Sequence, residues 1–185
     1  MIYENEITVK INSSKEELIK YLIDNNYKKI DEYTVSDIYY VKNETDLNDK
    51  FINIIKDTIL IRKINEDNLN LVYKYKEFDD NENIIKQGKV KLGINDIESA
   101  KDFLEIIGYK KLINVFDEII VFEKDGLEIN IEYVNDKYLF VEIEESEKYN
   151  TVDKLIEALN NTNIDYDKSN YFVKKAKIIF EENFN

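Results

Sequence analysis

The sequence predicts an α+β fold, an eight-stranded antiparallel β-barrel or tunnel with helices packed outside it. Three observations predict it. Eight runs of residues alternate apolar with polar or charged side chains, the period of a half-buried strand. Segments at helical spacing, opened by capping residues, interrupt these runs. Closing so many antiparallel-compatible strands on themselves removes exposed sheet edges.

Composition narrows the chemistry. The chain has 185 residues, enough to bury a substantial core, and 43% of them are apolar, so it is not a disordered sequence. It has four Gly and no Pro, with no linker-like stretch, so residues 1–185 read as a single domain. The absence of Cys removes disulfides and thiolate metal sites, and the absence of His removes imidazole ligands and the commonest neutral-pH general base. Catalysis would have to run on carboxylates, Lys, Arg, Tyr and metal-bound water. A formal charge of −13 disfavours nucleic acid and anionic membranes as partners. No apolar run is long enough to span a bilayer, and Met1-Ile2-Tyr3-Glu4 has no basic segment leading into an apolar one. The expected location is therefore cytoplasmic.

The elements follow in order. A strand near 3–11 precedes a helix opened by Ser14 and Glu17, a capping box, with Leu18, Tyr21 and Leu22 on one helical face. Further strands are expected near 33–43, 54–64, 68–78 and 84–94. Asn95 with Glu98 repeats the capping pattern before Ala100, Phe103, Leu104 and Ile107, and Gly108 suits the position just past the helix. Strands near 111–124, 126–135 and 138–146 come next, then helices over about 151–161 and 169–183. A weak internal repeat runs through this order. Ile7-Thr8-Val9-Lys10-Ile11, a helix and Tyr27-Lys28-Lys29 are echoed by Gly88-Lys89-Val90-Lys91-Leu92, a helix and Tyr109-Lys110-Lys111. The unit repeated is strand-helix-strand-strand-strand.

Strand parity sorts the charges. Residues two apart share a face, so Glu4, Glu6, Thr8 and Lys10 lie opposite Ile7, Val9 and Ile11. Glu142 and Glu144 lie opposite Val141 and Ile143; Lys74 pairs with Lys76, Lys89 with Lys91, and Glu128 and Glu132 flank Asn130. One strand of this kind reads simply as a solvated face. If the apolar faces take the helices and the sheet curls, however, the charged faces converge on an interior. Charges there must pair or hold an ionic ligand, because desolvation costs several kcal/mol per ion. The cations Lys10, Arg62, Lys74, Lys76, Lys89 and Lys91 suit a polyphosphate, and the glutamates suit Mg²⁺ or Mn²⁺. Arg62 is the only Arg among 26 basic residues, which reads either as a fixed fork for phosphate or carboxylate, or as an ordinary structural Arg.

These residues resemble the CYTH superfamily, which groups class IV adenylate cyclases with thiamine triphosphatase. Glu6-Ile7-Thr8-Val9-Lys10 resembles its N-terminal E-x-E-x-K strand, and Asp37-Ile38-Tyr39-Tyr40 its D-x-Y-(F/Y) strand. Leu60-Ile61-Arg62 is similar to the arginine strand, Leu71-Val72-Tyr73-Lys74 to the L-T-x-K strand, and Phe140-Val141-Glu142-Ile143-Glu144 to the terminal F-x-E-I-E strand. The resemblance implies a triphosphate tunnel. In it Glu6, Glu142 and Glu144 match metal positions, and Lys10, Arg62 and Lys74 match phosphate positions. Glu132 stands where an Asp is usual, and Glu4 is a metal candidate if the first motif shifts by two residues. A homodimer is an expectation from the resemblance alone.

The departures matter as much. Thr8 replaces a Glu and Leu60 an Arg, Lys89 and Lys91 replace acids, and Ile113-Asn114-Val115-Phe116-Asp117-Glu118 lacks the K-x-R pair. Each lost cation removes a charge-assisted contact of roughly 1.5–3 kcal/mol, which Lys76, Lys89 and Lys91 are placed to replace. Two main readings stand at this point. One is a metal-dependent enzyme that hydrolyses an organic or inorganic triphosphate, or acts as an adenylate cyclase-like protein. The other is a catalytically degenerate relative that binds a polyphosphate, nucleotide or other anion without turnover. An acidic structural domain is a third.

Overall fold

The computed structural model of the chain describes residues 2–3, 5–79 and 84–184. In chain order the elements are β1 (Ile2–Tyr3), β2 (Glu6–Lys10), α1 (Lys15–Asp24), β3 (Lys28–Lys42), α2 (Phe51–Ile55), β4 (Asp57–Ile64) and β5 (Asn68–Phe78). They continue with β6 (Ile84–Gly93), α3 (Ile97–Ile106), β7 (Tyr109–Lys124), β8 (Leu127–Val134), β9 (Tyr138–Glu144), α4 (Val152–Asn161) and α5 (Lys175–Phe184). The fold is α+β and its strand pairs are antiparallel, as expected. The repeat appears in the element order as well: β2-α1-β3-α2-β4-β5 is followed by β6-α3-β7-β8-β9, the same order apart from the short α2.

The chain forms two compact units, each discontinuous in sequence. The first comprises Met1–Tyr3, Val35–Phe116 and Lys175–Asn185; the second comprises Glu4–Thr34 and Asp117–Lys174. The unit boundaries fall within β3 and β7.

In the first unit the strand order is β1-β6-β5-β4-β3. One sheet face is apolar, and α3 packs on it: Ala100 and Leu104 join Tyr40 and Ile61 in a core edged by Ile38, Ile59, Leu71 and Ile97. Each such large side chain taken out of water contributes about 1.5–3 kcal/mol. The Asp96 side chain caps α3 by accepting from the Ser99 amide at 2.6 Å, and Gly108 follows its end with a φ of 90° that favours glycine.

In the second unit the order is β7-β8-β9-β2. Its apolar face carries Ile7, Val9, Ile120, Ile131, Val141 and Ile143. Leu18 and Leu22 of α1 and Leu155, Ala158 and Leu159 of α4 cover that face. Ser14 and Glu17 form the expected reciprocal capping box at the start of α1. The β7–β8 hairpin turns through Asp125 and Gly126, with φ values of 54° and 81°. A two-residue loop with both φ positive matches the right-handed twist of the strands and fixes the register Lys124↔Leu127.

Several expectations are corrected. The eight expected strands are present, and the first of them divides into β1, paired with β6, and β2, paired with β9, which makes nine labelled strands among the described residues. Residues 51–55 are a short helix ahead of β4, since Phe51, Ile54 and Ile55 bury at helical spacing and Phe51 meets the Phe180 ring at 5.3 Å. The α3 cap is Asp96, not Asn95. The last helix starts at Lys175, not near 169. Asp167 and Asn170 side chains accept from the amides of Ser169 and Phe172, holding this stretch in turns. The next residues are extended along β2: the Thr8 amide donates to the Tyr171 carbonyl and the Val173 amide to the Thr8 carbonyl, each at 3.0 Å. Among the described residues no helix is long and apolar enough to cross a membrane.

Candidate functional site

The second unit presents a polar face opposite its helix-covered one. Register sets its members. Glu6 lies opposite Glu144, Thr8 opposite Glu142 and Lys10 opposite Phe140, while Phe140 also lies opposite Glu132. Directly opposed residues project to the same side of a sheet, so Glu6, Thr8, Lys10, Glu132, Glu142 and Glu144 share one face.

Three of these acids converge. One carboxylate oxygen each from Glu6, Glu142 and Glu144 lies within 4.8 Å of the others. The cause is local: Glu142 and Glu144 are two apart on β9, and β2 sets Glu6 beside Glu144. Glu6 and Glu142 are partly buried and Glu144 is exposed. The Thr8 hydroxyl donates to Glu142 Oε2 at 3.2 Å, which orients that carboxylate. Three like charges this close repel, and a divalent cation relieves the repulsion. An all-oxygen donor set on ordered strands fits a hard cation such as Mg²⁺ or Mn²⁺.

The other acidic candidates behave differently. Glu132 is 3% exposed and stands outside the three-carboxylate cluster. Glu4 lies outside the described residues. Lys10 is on the same face but exposed, and its charge helps to hold the Asp167 carboxyl below its usual range, behind the hydrogen bonds from Ser169. Tyr33 was not among the sequence candidates. Burial pushes its hydroxyl up, and the negative charges of Glu144, Glu132 and Glu142 push it further, so the phenol stays protonated next to the acids. The period-two pattern offered one signal for Tyr33, a ring on a strand otherwise rich in polar residues, but nothing tied it to β9.

The first unit collects the cations. Arg62 lies opposite Asp37 and Asn70, Val72 opposite Lys91, Lys74 opposite Lys89, and Lys76 opposite Gln87. Lys74 and Lys76 are two and four positions from Val72, so Arg62, Lys74, Lys76, Lys89 and Lys91 all belong to the face opposite α3. Arg62 is already engaged. Its Nε and Nη2 donate to the two oxygens of Asp37 at 2.7 and 2.6 Å, and Asp37 is 4% exposed in its side chain. This bidentate pair fixes the guanidinium plane on the sheet. Asp37 appeared in the sequence only as part of a strand motif, and its role as the arginine's partner was not read there.

No family model matches the chain, and no curated protein matches it. Solved structures do. A Pyrococcus horikoshii protein aligns at 18% identity with a TM-score of 0.69, covering 97% of this chain and 99% of its own. A proposed adenylyl cyclase from Hippeastrum, described as having a dominant triphosphatase activity, aligns at 13% identity with a TM-score of 0.64, covering 97% and 96%. The chain shares their fold. The α+β fold expected from the sequence is thus shared with these structures, at identities that show a common fold and nothing finer. A chain of the Schizosaccharomyces pombe Mediator head module also aligns, at 8% identity and a TM-score of 0.59, over 89% of this chain and 98% of its own. One fold thus serves different roles, and function has to be argued from side chains.

Proposed function

We propose that this protein is a divalent-cation-dependent enzyme that hydrolyses a triphosphate. The observation that carries the reading is the convergence of Glu6, Glu142 and Glu144 oxygens within 4.8 Å, at the positions that the CYTH resemblance assigns to metal ligands. Bound Mg²⁺ or Mn²⁺ would supply charge neutralisation for phosphate oxygens and a water of lowered pKa. The chain's own groups would do the rest. Glu6, Glu142 and Glu144 would hold the cation, with Thr8 orienting Glu142. Lys10, on the same face as these carboxylates, would bind phosphate oxygens and offset charge developing on the leaving group. The Hippeastrum protein's triphosphatase activity supports the same reaction class. Adenylate cyclase-like chemistry is the neighbouring alternative, in which the substrate's own 3′-hydroxyl replaces water.

A specific observation favours a second reading, a relative that binds polyphosphate without turnover. Asp37 already occupies the Arg62 fork, and β7 brings no K-x-R pair. One assay separates the readings. Phosphate and cyclic nucleotide release are measured from tripolyphosphate, ATP and thiamine triphosphate with Mg²⁺ or Mn²⁺, beside Glu142→Gln. Metal-dependent phosphate release that Glu142→Gln abolishes supports hydrolysis. Thermal stabilisation by tripolyphosphate without any product overturns it in favour of the binder.

A further inference from the structure

Away from the carboxylate face, the second unit has a cleft of about 530 Å³ between α4 and the β7–β8 turn. That volume lies within the range of small-molecule sites, roughly 300–1,000 Å³. Its α4 wall is one helical stripe, Lys154, Glu157, Ala158 and Asn161, at the spacing i, i+3, i+4, i+7. Lys124 comes from the end of β7, Asp125 from the turn, Lys148 and Tyr149 from the segment before α4, and Tyr27 from just ahead of β3.

The three ammonium groups are unusual in how they are held. Lys124 Nζ donates to the Asn25 carbonyl at 2.9 Å, Lys148 Nζ to the Asp125 carbonyl at 3.2 Å, and Lys154 Nζ to Asn150 Oδ1 at 3.0 Å. All three acceptors are neutral. Lys124 also lies 5.2 Å from the Tyr27 ring centroid and Lys148 4.9 Å from that of Tyr149. The hydroxyl of Tyr149 also raises the Lys148 pKa, so that group stays charged. An ammonium has three donors, so these neutral acceptors, with the Tyr149 hydroxyl as a second one for Lys148, leave at least one hydrogen on each lysine available to an incoming oxygen anion. Three lysines against Asp125 and Glu157 leave the cleft cationic, in a chain whose formal charge is −13. The two tyrosine rings, both half-buried, supply apolar surface beside the charges.

From the cleft, its three carbonyl-held lysines and its two rings, we infer a second ligand site on this protein, for a small organic molecule bearing a phosphate monoester. The phosphate oxygens accept from Lys124, Lys148 and Lys154, and the organic part lies against Tyr27 and Tyr149. This site uses none of the residues of the proposed triphosphate reaction, so it serves as an effector or accessory site.

Titration of the whole ¹⁵N-labelled protein with phenyl phosphate tests this. The expected result is saturable shifts at the amides of Tyr27, Lys124, Tyr149 and Lys154. The Lys148→Gln/Lys154→Gln double variant should weaken binding at least tenfold, and Glu142→Gln should leave it unchanged. Lys124→Gln alone, a milder change, should weaken it in the same direction. Shifts confined to other residues, or unchanged affinity in both lysine variants, overturn the site. Inorganic phosphate binding as tightly as phenyl phosphate overturns the organic-ester assignment.

Discussion

Asp37 grips Arg62 through both of its carboxylate oxygens, on directly opposed positions of β3 and β4. The only arginine of the chain is therefore a built part of the first unit's sheet, whatever else it binds. Arg62→Ala strands a carboxylate that is 4% exposed. The expected loss is about 1.5–3 kcal/mol, at roughly 2–4 °C in Tm per kcal/mol for a chain of this size. Thermal unfolding of Arg62→Ala beside Asp37→Asn checks it. Wild-type stability in Arg62→Ala would show that the pair contributes nothing, and any activity lost in that variant would then be a direct effect.

Glu142→Gln should act oppositely with and without cation. In chelator the substitution relieves repulsion among three crowded carboxylates, so stability stays level or rises. With Mn²⁺ or Mg²⁺ at about a hundred times its Kd, the wild type should gain about 2.7 kcal/mol and the variant should gain little. Parallel melts with metal and with chelator read this directly; equal metal responses in the two proteins would remove Glu142 from the cation set.

Thr8→Val keeps the shape of the side chain but removes the 3.2 Å hydrogen bond to Glu142. Partners that orient a metal-binding carboxylate typically account for about 10–100-fold in affinity. Cation affinity, measured by calorimetry, should fall by about tenfold in Thr8→Val while the fold persists. An unchanged affinity would mean that Glu142 needs no orienting partner.

Alkaline pH offers a test of the first unit. The Tyr73 hydroxyl donates to Asp57 Oδ1 at 2.8 Å, and burial together with that bond pushes its pKa up to about 12, against 10.0 ordinarily. A group whose folded pKa is raised binds its proton more tightly when folded. Its contribution is thus complete below pH 10 and disappears as pH climbs toward 12. Wild-type stability minus that of Tyr73→Phe should be flat up to pH 10 and shrink above it, as followed by melts across that range. A difference that grows with alkalinity would contradict the bond.

Much of this was legible in the sequence because strand parity is strict. Once Glu142 and Glu144 alternate with Val141 and Ile143, only one side can face α1 and α4, and the acids are sorted without any structure. The same rule placed Lys74 with Lys76 and Lys89 with Lys91. What parity does not supply is register between strands. Thr8 opposite Glu142, Tyr33 near the acids and Asp37 opposite Arg62 each depend on which residue of one strand meets which residue of another. Local competition explains the other misses. Asp96 outcompeted its neighbour Asn95 as the cap, and the turns anchored by Asp167 and Asn170 outweighed helical spacing in residues 169–174. One signal was present and unused: Asp125-Gly126, a pair suited to a two-residue hairpin, fixes how β7 meets β8.

The strip formed by Tyr171 and Val173 along β2 has a consequence for handling the protein. By bonding the Thr8 amide and carbonyl on the flank away from β9, it shields a margin at which other molecules could add a strand. A Val173→Pro variant would keep the acids and all the helices but lose the amide that bonds the Thr8 carbonyl, opening that shield. It should self-associate through β2, and sedimentation at rising concentration would show it.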